Sequence, residues 1–171
     1  MRVNEFVAWI YPQAKRMNEI DPLFVTAQAA LESGWGKSAI GNNLFGITKG
    51  TTWAGPVKLV TTTEYFTRKD VKFKHPEEIL AIKEVGNGKY KYTVRRFFRD
   101  YDTVGDCLRD HLRILKKKGY ADAWPYRHDA KEYVRRIVDS VGLKYATDPN
   151  YVDTMCKIIE MVKSEVIKQH L

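Results

Sequence analysis

Residues 27–46 read AQAALESGWGKSAIGNNLFG, and the way this stretch ends decides how the chain is built. It opens as an alanine-rich helix, because alanine loses no side-chain entropy on helix formation. It then meets Glu32, Ser33, Gly34, Trp35 and Gly36, with Gly34 placed to end the helix in a left-handed conformation. Upstream, Asp21-Pro22 supplies an N-cap and a proline at the first helical position, which predicts a helix over residues 22–33. Helical spacing puts Gln28 one turn before Glu32 on the same face, beside the small or apolar Ala29, Ala30 and Leu31. The Glu32 carboxyl therefore belongs at the edge of the core. Partial desolvation, the negative end of the helix dipole and confinement beside Trp35 each act to raise its pKa. A carboxylic acid protonated near neutral pH suits proton donation to a glycosidic oxygen. The Gly-Trp-Gly segment adds a flat apolar ring on which a sugar can stack. A solvated helix-end charge beside a packing tryptophan fits these residues as well, and the stretch alone leaves both readings open.

Before this helix, residues 4–20 carry Phe6, Val7, Ile10, Ala14 and Met17 on one face, with Pro12 expected to kink the helix or mark a restart. After it the pattern changes. VKLVTTTEYF (57–66), ILAIKEV (79–85) and KYKYTVRRFF (89–98) are rich in β-branched and aromatic residues, and Gly86-Asn87-Gly88 predicts a hairpin between the last two. Helices follow from a cap at Asp102 or Thr103 to about 118, from Asp129 to about 140, and from Asp148-Pro149 to about 168. This order predicts a mainly helical α+β fold with a small inserted β-rich lobe over about 56–100, and a cleft between lobe and body.

Lysine and arginine outnumber acidic residues 29 to 21, a net charge of +8, which favours an anionic partner such as nucleic acid, a membrane surface or cell-wall polymer. The basic, aromatic run KYKYTVRRFFRD reads equally as an RNA-binding segment or an amphipathic strand. No apolar run reaches membrane-spanning length, and the N-terminus lacks a secretory h-region, so no signal peptide is visible. Cys107 and Cys156 lack zinc-ligand spacing and read as free thiols, and His75, His111, His128 and His170 form no known catalytic or metal motif. No metal or cofactor is expected.

Five segments in order, AQAALESGWGKS, NNLFGI, TTTEYF, FFRDYDT and YATDPNYVDTM, resemble glycoside hydrolase family 73 across residues 6–162. That family comprises bacterial and phage endo-β-N-acetylglucosaminidases, flagellar peptidoglycan hydrolases and autolysins among them. The resemblance implies a lysozyme-like helical body with a β-hairpin lobe flanking the cleft, and one catalytic domain over residues 1–171. It also implies hydrolysis of the β-1,4 bond on the reducing side of N-acetylglucosamine in peptidoglycan. Glu32 matches the family's general acid, and Glu64, in the Thr-Thr-Glu-Tyr motif, matches a second acidic residue found in several members. Asn43 and Phe45 match the loop beside the acid, Phe45 also reading as core, and Tyr145 matches a tyrosine placed near the acid. Gln28, Trp35 and Tyr65 complete the expected substrate-binding set, with Trp53 and Trp124 as further candidate aromatics. The chain departs from the family at Thr48-Lys49, where many members place the lysine one position earlier. The expected partner is the peptidoglycan glycan strand, met by a monomer at the bacterial cell wall, without nucleic acid or membrane insertion. Two alternatives stand beside this reading: a muramidase or lytic transglycosylase, and a non-catalytic module binding wall polymer or nucleic acid.

Overall fold

α2 (Pro22–Ser33) is the central helix of its unit because almost every side it presents is apolar or small. Phe24, Val25, Ala27, Ala29 and Ala30 are buried, and Thr26, Gln28 and Ser33 are buried with them. A helix of this composition must be surrounded. In the computed structural model, which describes residues 1–139 and 149–171, it contacts α1 (Val3–Met17), α4 (Ala130–Val138) and α5 (Tyr151–Gln169). These helices, with α3 (Val104–Leu115), form a compact unit over Met1–Gly46 and Tyr101–Leu171, while Ile47–Asp100 form a second. The first and last segments of the chain thus share one core. Gln169 Nε2 donates to Asn4 O at 3.1 Å, joining α5 to α1.

The predicted caps hold. Asp21 accepts from Leu23 N at 2.9 Å, Thr103 Oγ1 accepts from Asp106 N at 3.1 Å, and Asp129 accepts from Glu132 N at 3.1 Å. α1 differs from expectation: Pro12 lies inside it and the helix runs through to Met17. A proline removes one backbone hydrogen bond and crowds the carbonyl a turn earlier. Phe6, Val7 and Ile10 before it and Ala14 after it are all buried, so core packing holds both halves in line. Nearby, the Gln13 side chain donates to Trp9 O at 2.9 Å. The last helix begins at Tyr151, after Asn150, and the Asp148 cap expected for it lies outside the described residues.

In the second unit β1 (Val57–Phe66), β2 (Glu78–Gly86) and β3 (Lys89–Arg99) form an antiparallel sheet in the order β1-β3-β2. The β2–β3 turn places Asn87 and Gly88 at φ 52° and 68°, the positive values that an Asn-Gly hairpin loop requires. The unit begins earlier than residue 56, at Ile47. Residues 47–49 join the end of β3: Lys49 N donates to Phe97 O at 2.8 Å and Arg99 N to Ile47 O at 3.0 Å.

The basic run of β3 is an amphipathic strand. Tyr92, Val94 and Phe98 are buried on one face. Arg95 pairs with Glu78 at 3.0 Å, Arg96 with Glu64 at 2.8 Å, and Arg99 Nε donates to Thr48 O at 3.1 Å. These cations are engaged within the sheet unit itself.

Candidate active site

Glu32 closes the buried helix α2, so its position is fixed by the core of the helical unit. It keeps an exposed face, yet enough protein surrounds the carboxyl that partial desolvation raises its pKa above the usual carboxylate range. The residues that follow build a left-handed turn: Gly34, Trp35 and Gly36 have φ of 56°, 58° and 80°. Glycine adopts such angles freely, whereas Trp35 carries a cost of about 1–2 kcal/mol.

What holds Trp35 there is specific. Trp35 N donates to Ala30 O at 2.8 Å, and Gly36 N donates to Ser33 Oγ at 2.8 Å. Ser33 Oγ in turn donates to Ala29 O at 2.6 Å. The Trp35 ring meets Phe6 edge to face with centroids 5.6 Å apart, and a Cβ on Gly36 would lie 3.6 Å from the same Phe6 ring. Each residue after the glutamate in Glu-Ser-Gly-Trp-Gly therefore has a local physical reason. Trp35 is half-buried and retains open surface.

Gln28 lies one turn before Glu32, as expected, but has 0% exposure, so it offers a ligand no surface. The expectation that it touches substrate fails on burial. Its Nε2 lies 3.0 Å from the Tyr151 hydroxyl, while its Oε1 has no hydrogen-bond partner among the described residues. Burial pushes the Tyr151 phenol upward and the charge of Glu32 adds to this, with the Gln28 hydrogen bond acting the other way. The structure thus groups Glu32, Gln28 and Tyr151. Tyr151 was missed in the sequence, although it stands in the quoted segment YATDPNYVDTM; Tyr145, the tyrosine chosen from that segment, lies outside the described residues.

The loop after the turn is anchored to α3. Asn42 Nδ2 donates to Tyr101 O at 2.8 Å and Asp102 O at 3.0 Å. Asn43 is 1% exposed and exchanges backbone hydrogen bonds with Ile40, so it shapes the loop from inside. Phe45 stacks on His111 with centroids 3.7 Å apart, the packing role its residue type suggested. Cys107, one turn before His111, is a buried thiol pushed up to about 12 by burial, and hence inert as a nucleophile.

Burial also holds the His111 imidazole well below its ordinary value, at about 3, with Asp110 acting the other way. As pH falls below roughly 6.5 the unfolded chain gains a proton that the native site refuses. This stabilisation is therefore complete above that pH and is lost progressively toward about pH 3. We expect the melting temperature to fall between about pH 7 and pH 5, and to fall less in His111→Phe, which keeps a stacked ring. Equal falls in both proteins would exonerate the imidazole.

On the sheet unit, β1 alternates as its sequence predicted: Thr62, Glu64 and Phe66 are half-buried, and Thr61, Thr63 and Tyr65 are exposed. Arg96 Nη1 contacts both Glu64 oxygens, at 2.8 and 3.0 Å, and its guanidinium lies 4.9 Å from the Phe73 ring centroid. Tyr65 is 61% exposed on the opposite face. Trp53 packs under Arg99 at 4.9 Å, and Lys49 lies 5.6 Å from the Phe97 ring. Among the described residues no group of three or more His, Cys, Asp or Glu is arranged to hold a metal ion.

The chain is 30% identical to the peptidoglycan hydrolase FlgJ of Pseudomonas aeruginosa over 94% of its own length and 37% of that protein's. It is 34% identical to a probable N-acetylmuramidase of Lactococcus lactis over 83% of its length and 29% of that protein's. It therefore spans well under half of each of these relatives. The glycoside hydrolase domain of Salmonella typhimurium FlgJ superposes with a TM-score of 0.71 at 25% identity, covering 99% of this chain and 94% of that domain. Among the described residues, five α-helices with a small antiparallel sheet agree with the lysozyme-like α+β class expected. The mannosyl-glycoprotein endo-beta-N-acetylglucosaminidase model matches residues 8–164, spanning both units, and the chain belongs to this glucosaminidase family of glycoside hydrolases.

Proposed function

We propose that the chain is a peptidoglycan hydrolase that cleaves the β-1,4 bond on the reducing side of N-acetylglucosamine, with Glu32 as general acid. The observation that carries this is the Glu32 carboxyl at the end of a buried helix, desolvated enough to raise its pKa yet open on one face. A raised pKa keeps a larger fraction protonated near neutral pH, and the open face lets that proton reach a leaving oxygen. Tyr151 and Gln28 act as positioning residues: the buried phenol fixes the Gln28 amide one turn below the acid. Trp35 offers its open surface to a sugar ring. Glu64 is the second carboxylate, either a base for water or a group steering the substrate's acetamido oxygen, with Arg96 orienting it. Tyr65, exposed on the other face of β1, is a lesser candidate for sugar contact.

The likeness to proteins named as peptidoglycan hydrolases supports the substrate, and a net charge of +8 suits an anionic cell wall. The relative named as a probable N-acetylmuramidase supports a second reading, cleavage of the alternate bond. Mass spectrometry of digested peptidoglycan separates the two. Reducing-end N-acetylglucosamine is the expected product; muramic acid or anhydromuramic acid at the new ends would refute the glucosaminidase reading.

A further inference from the structure

The helical unit carries a cavity of about 560 Å³ that lies away from Glu32. Asn18 and Glu19, on its wall, precede the first turn of α2, whereas Glu32 ends that helix. At 1.5 Å per residue the two ends of α2 are roughly 15 Å apart. We infer that this cavity binds a free carboxylate of the peptidoglycan stem peptide, with Arg127 as the anion-binding group and Trp124 as its apolar wall. The inference rests on the peptidoglycan substrate proposed above.

Three observations carry it. The first is charge. Lys116 and Glu19 form an ion pair and neutralise each other, while Arg127 lines the same cavity with no carboxylate partner among the described residues. Exposed His128 stands at the same cavity.

The second is geometry. Arg127 is half-buried, its Nη1 donates to Trp124 O at 3.1 Å, and its guanidinium lies 4.9 Å from the Trp124 ring centroid. Its own backbone carbonyl accepts from Asp21 N at 2.8 Å, so the main chain that carries this side chain is tied down as well. A fixed guanidinium with donors to spare suits a carboxylate better than a flexible ammonium does.

The third is the composition of the wall. Leu115 and Trp124 present apolar surface, while Glu19 provides acceptor oxygens for peptide N–H groups. In the proposed polymer N-acetylglucosamine is uncharged, whereas stem peptides carry free carboxylates, amide N–H groups and short apolar side chains. A fixed cation, an apolar wall and an acceptor match the peptide and not the neutral sugar.

A contact this far from the acid binds substrate and transition state alike. Its loss therefore raises KM and leaves kcat unchanged. The test begins with a nuclear magnetic resonance titration of the intact chain with muramyl dipeptide, a soluble fragment bearing a free carboxylate, and with chitotetraose as neutral control. Amide shifts at Lys116, Trp124 and Arg127 with the first probe only are expected. Arg127→Gln removes them and raises KM on intact sacculi about tenfold, the size of one charge-assisted hydrogen bond, with kcat and activity on peptide-free glycan strands unchanged. Arg127→Lys, which keeps the charge without the fork, restores only part of the affinity. Muramyl dipeptide shifts elsewhere, or equal binding by Arg127→Gln, would overturn the inference and leave Arg127 a packing residue on Trp124. The titration needs no turnover, so its result stands apart from the product analysis. Reducing-end N-acetylglucosamine together with a silent titration would remove this site and keep the proposed function.

Discussion

Glu32→Gln lowers turnover on peptidoglycan by about 10²–10⁴-fold, the range that a positioned general acid supplies, while the folded protein loses no stability. The two halves of this expectation share one cause. Desolvation raises the Glu32 pKa in the native state, so the unfolded chain releases this proton at lower pH than the native chain does. Stability contributed by this group is full below the ordinary glutamate pKa and falls as pH rises through the raised native value. Above that value the wild type holds a partly desolvated charge that glutamine lacks. Glu32→Gln therefore melts at the same temperature or higher near neutral pH, and the difference disappears in acid. Full lytic activity in a folded Glu32→Gln protein would remove Glu32 from the mechanism. Glu64→Gln behaves differently, because it also removes the nearer of the two carboxylates paired with Arg96, leaving Glu77 at 3.6 Å, and so costs some stability along with activity.

Phe6→Ala has the largest expected effect on stability, a loss of about 3–5 kcal/mol for truncating a fully buried phenylalanine. Phe6 has 0% exposure and meets both Trp9 and Trp35 edge to face, at 6.1 and 5.6 Å. It also lies under Gly36, so the cavity would open directly below the strained turn that follows the acid. Urea unfolding should show a lower midpoint with an unchanged slope, and activity measured well below that midpoint should drop as the turn loosens. Phe6→Leu, which refills most of the volume, should recover more than half of the stability. A loss below about 1 kcal/mol in Phe6→Ala would mean that the turn is held by its hydrogen bonds alone.

Wherever local chemistry decides structure, the sequence was readable. Asp21-Pro22, Thr103 and Asp129 open helices because each cap needs only a few neighbouring residues, and Asn87-Gly88 turns a hairpin for the same reason. The alternation of β1 was legible from its period of two. Features that depend on distant partners were not. Pro12 reads as a break until both halves of α1 are seen buried in one core. The pairing of residues 47–49 with β3 leaves no periodic trace over so short a run. Gln28 was placed on the correct helical face, but the helices that bury it and its partner Tyr151, 123 residues away, are distant in sequence. The contact of Arg96 with Glu64 is diagonal, since Val60 stands directly opposite Arg96, and only the register reveals it.

The hydrogen bond from Gln169 to Asn4 says something about how the chain comes into being. Residues 47–100 are contiguous, so the sheet unit has all its strands as soon as β3 leaves the ribosome. The helical unit is in the opposite position: its central helix is made early, but α5, which covers α1 and α2, is synthesised after the whole sheet unit. Until then the apolar faces of α1 and α2 lack one wall and stay open to misassociation. The sheet unit should thus gain protease resistance on ribosome-bound chains before the helical unit does. The core around α2, the helix that carries Glu32, closes only after α5 has been made.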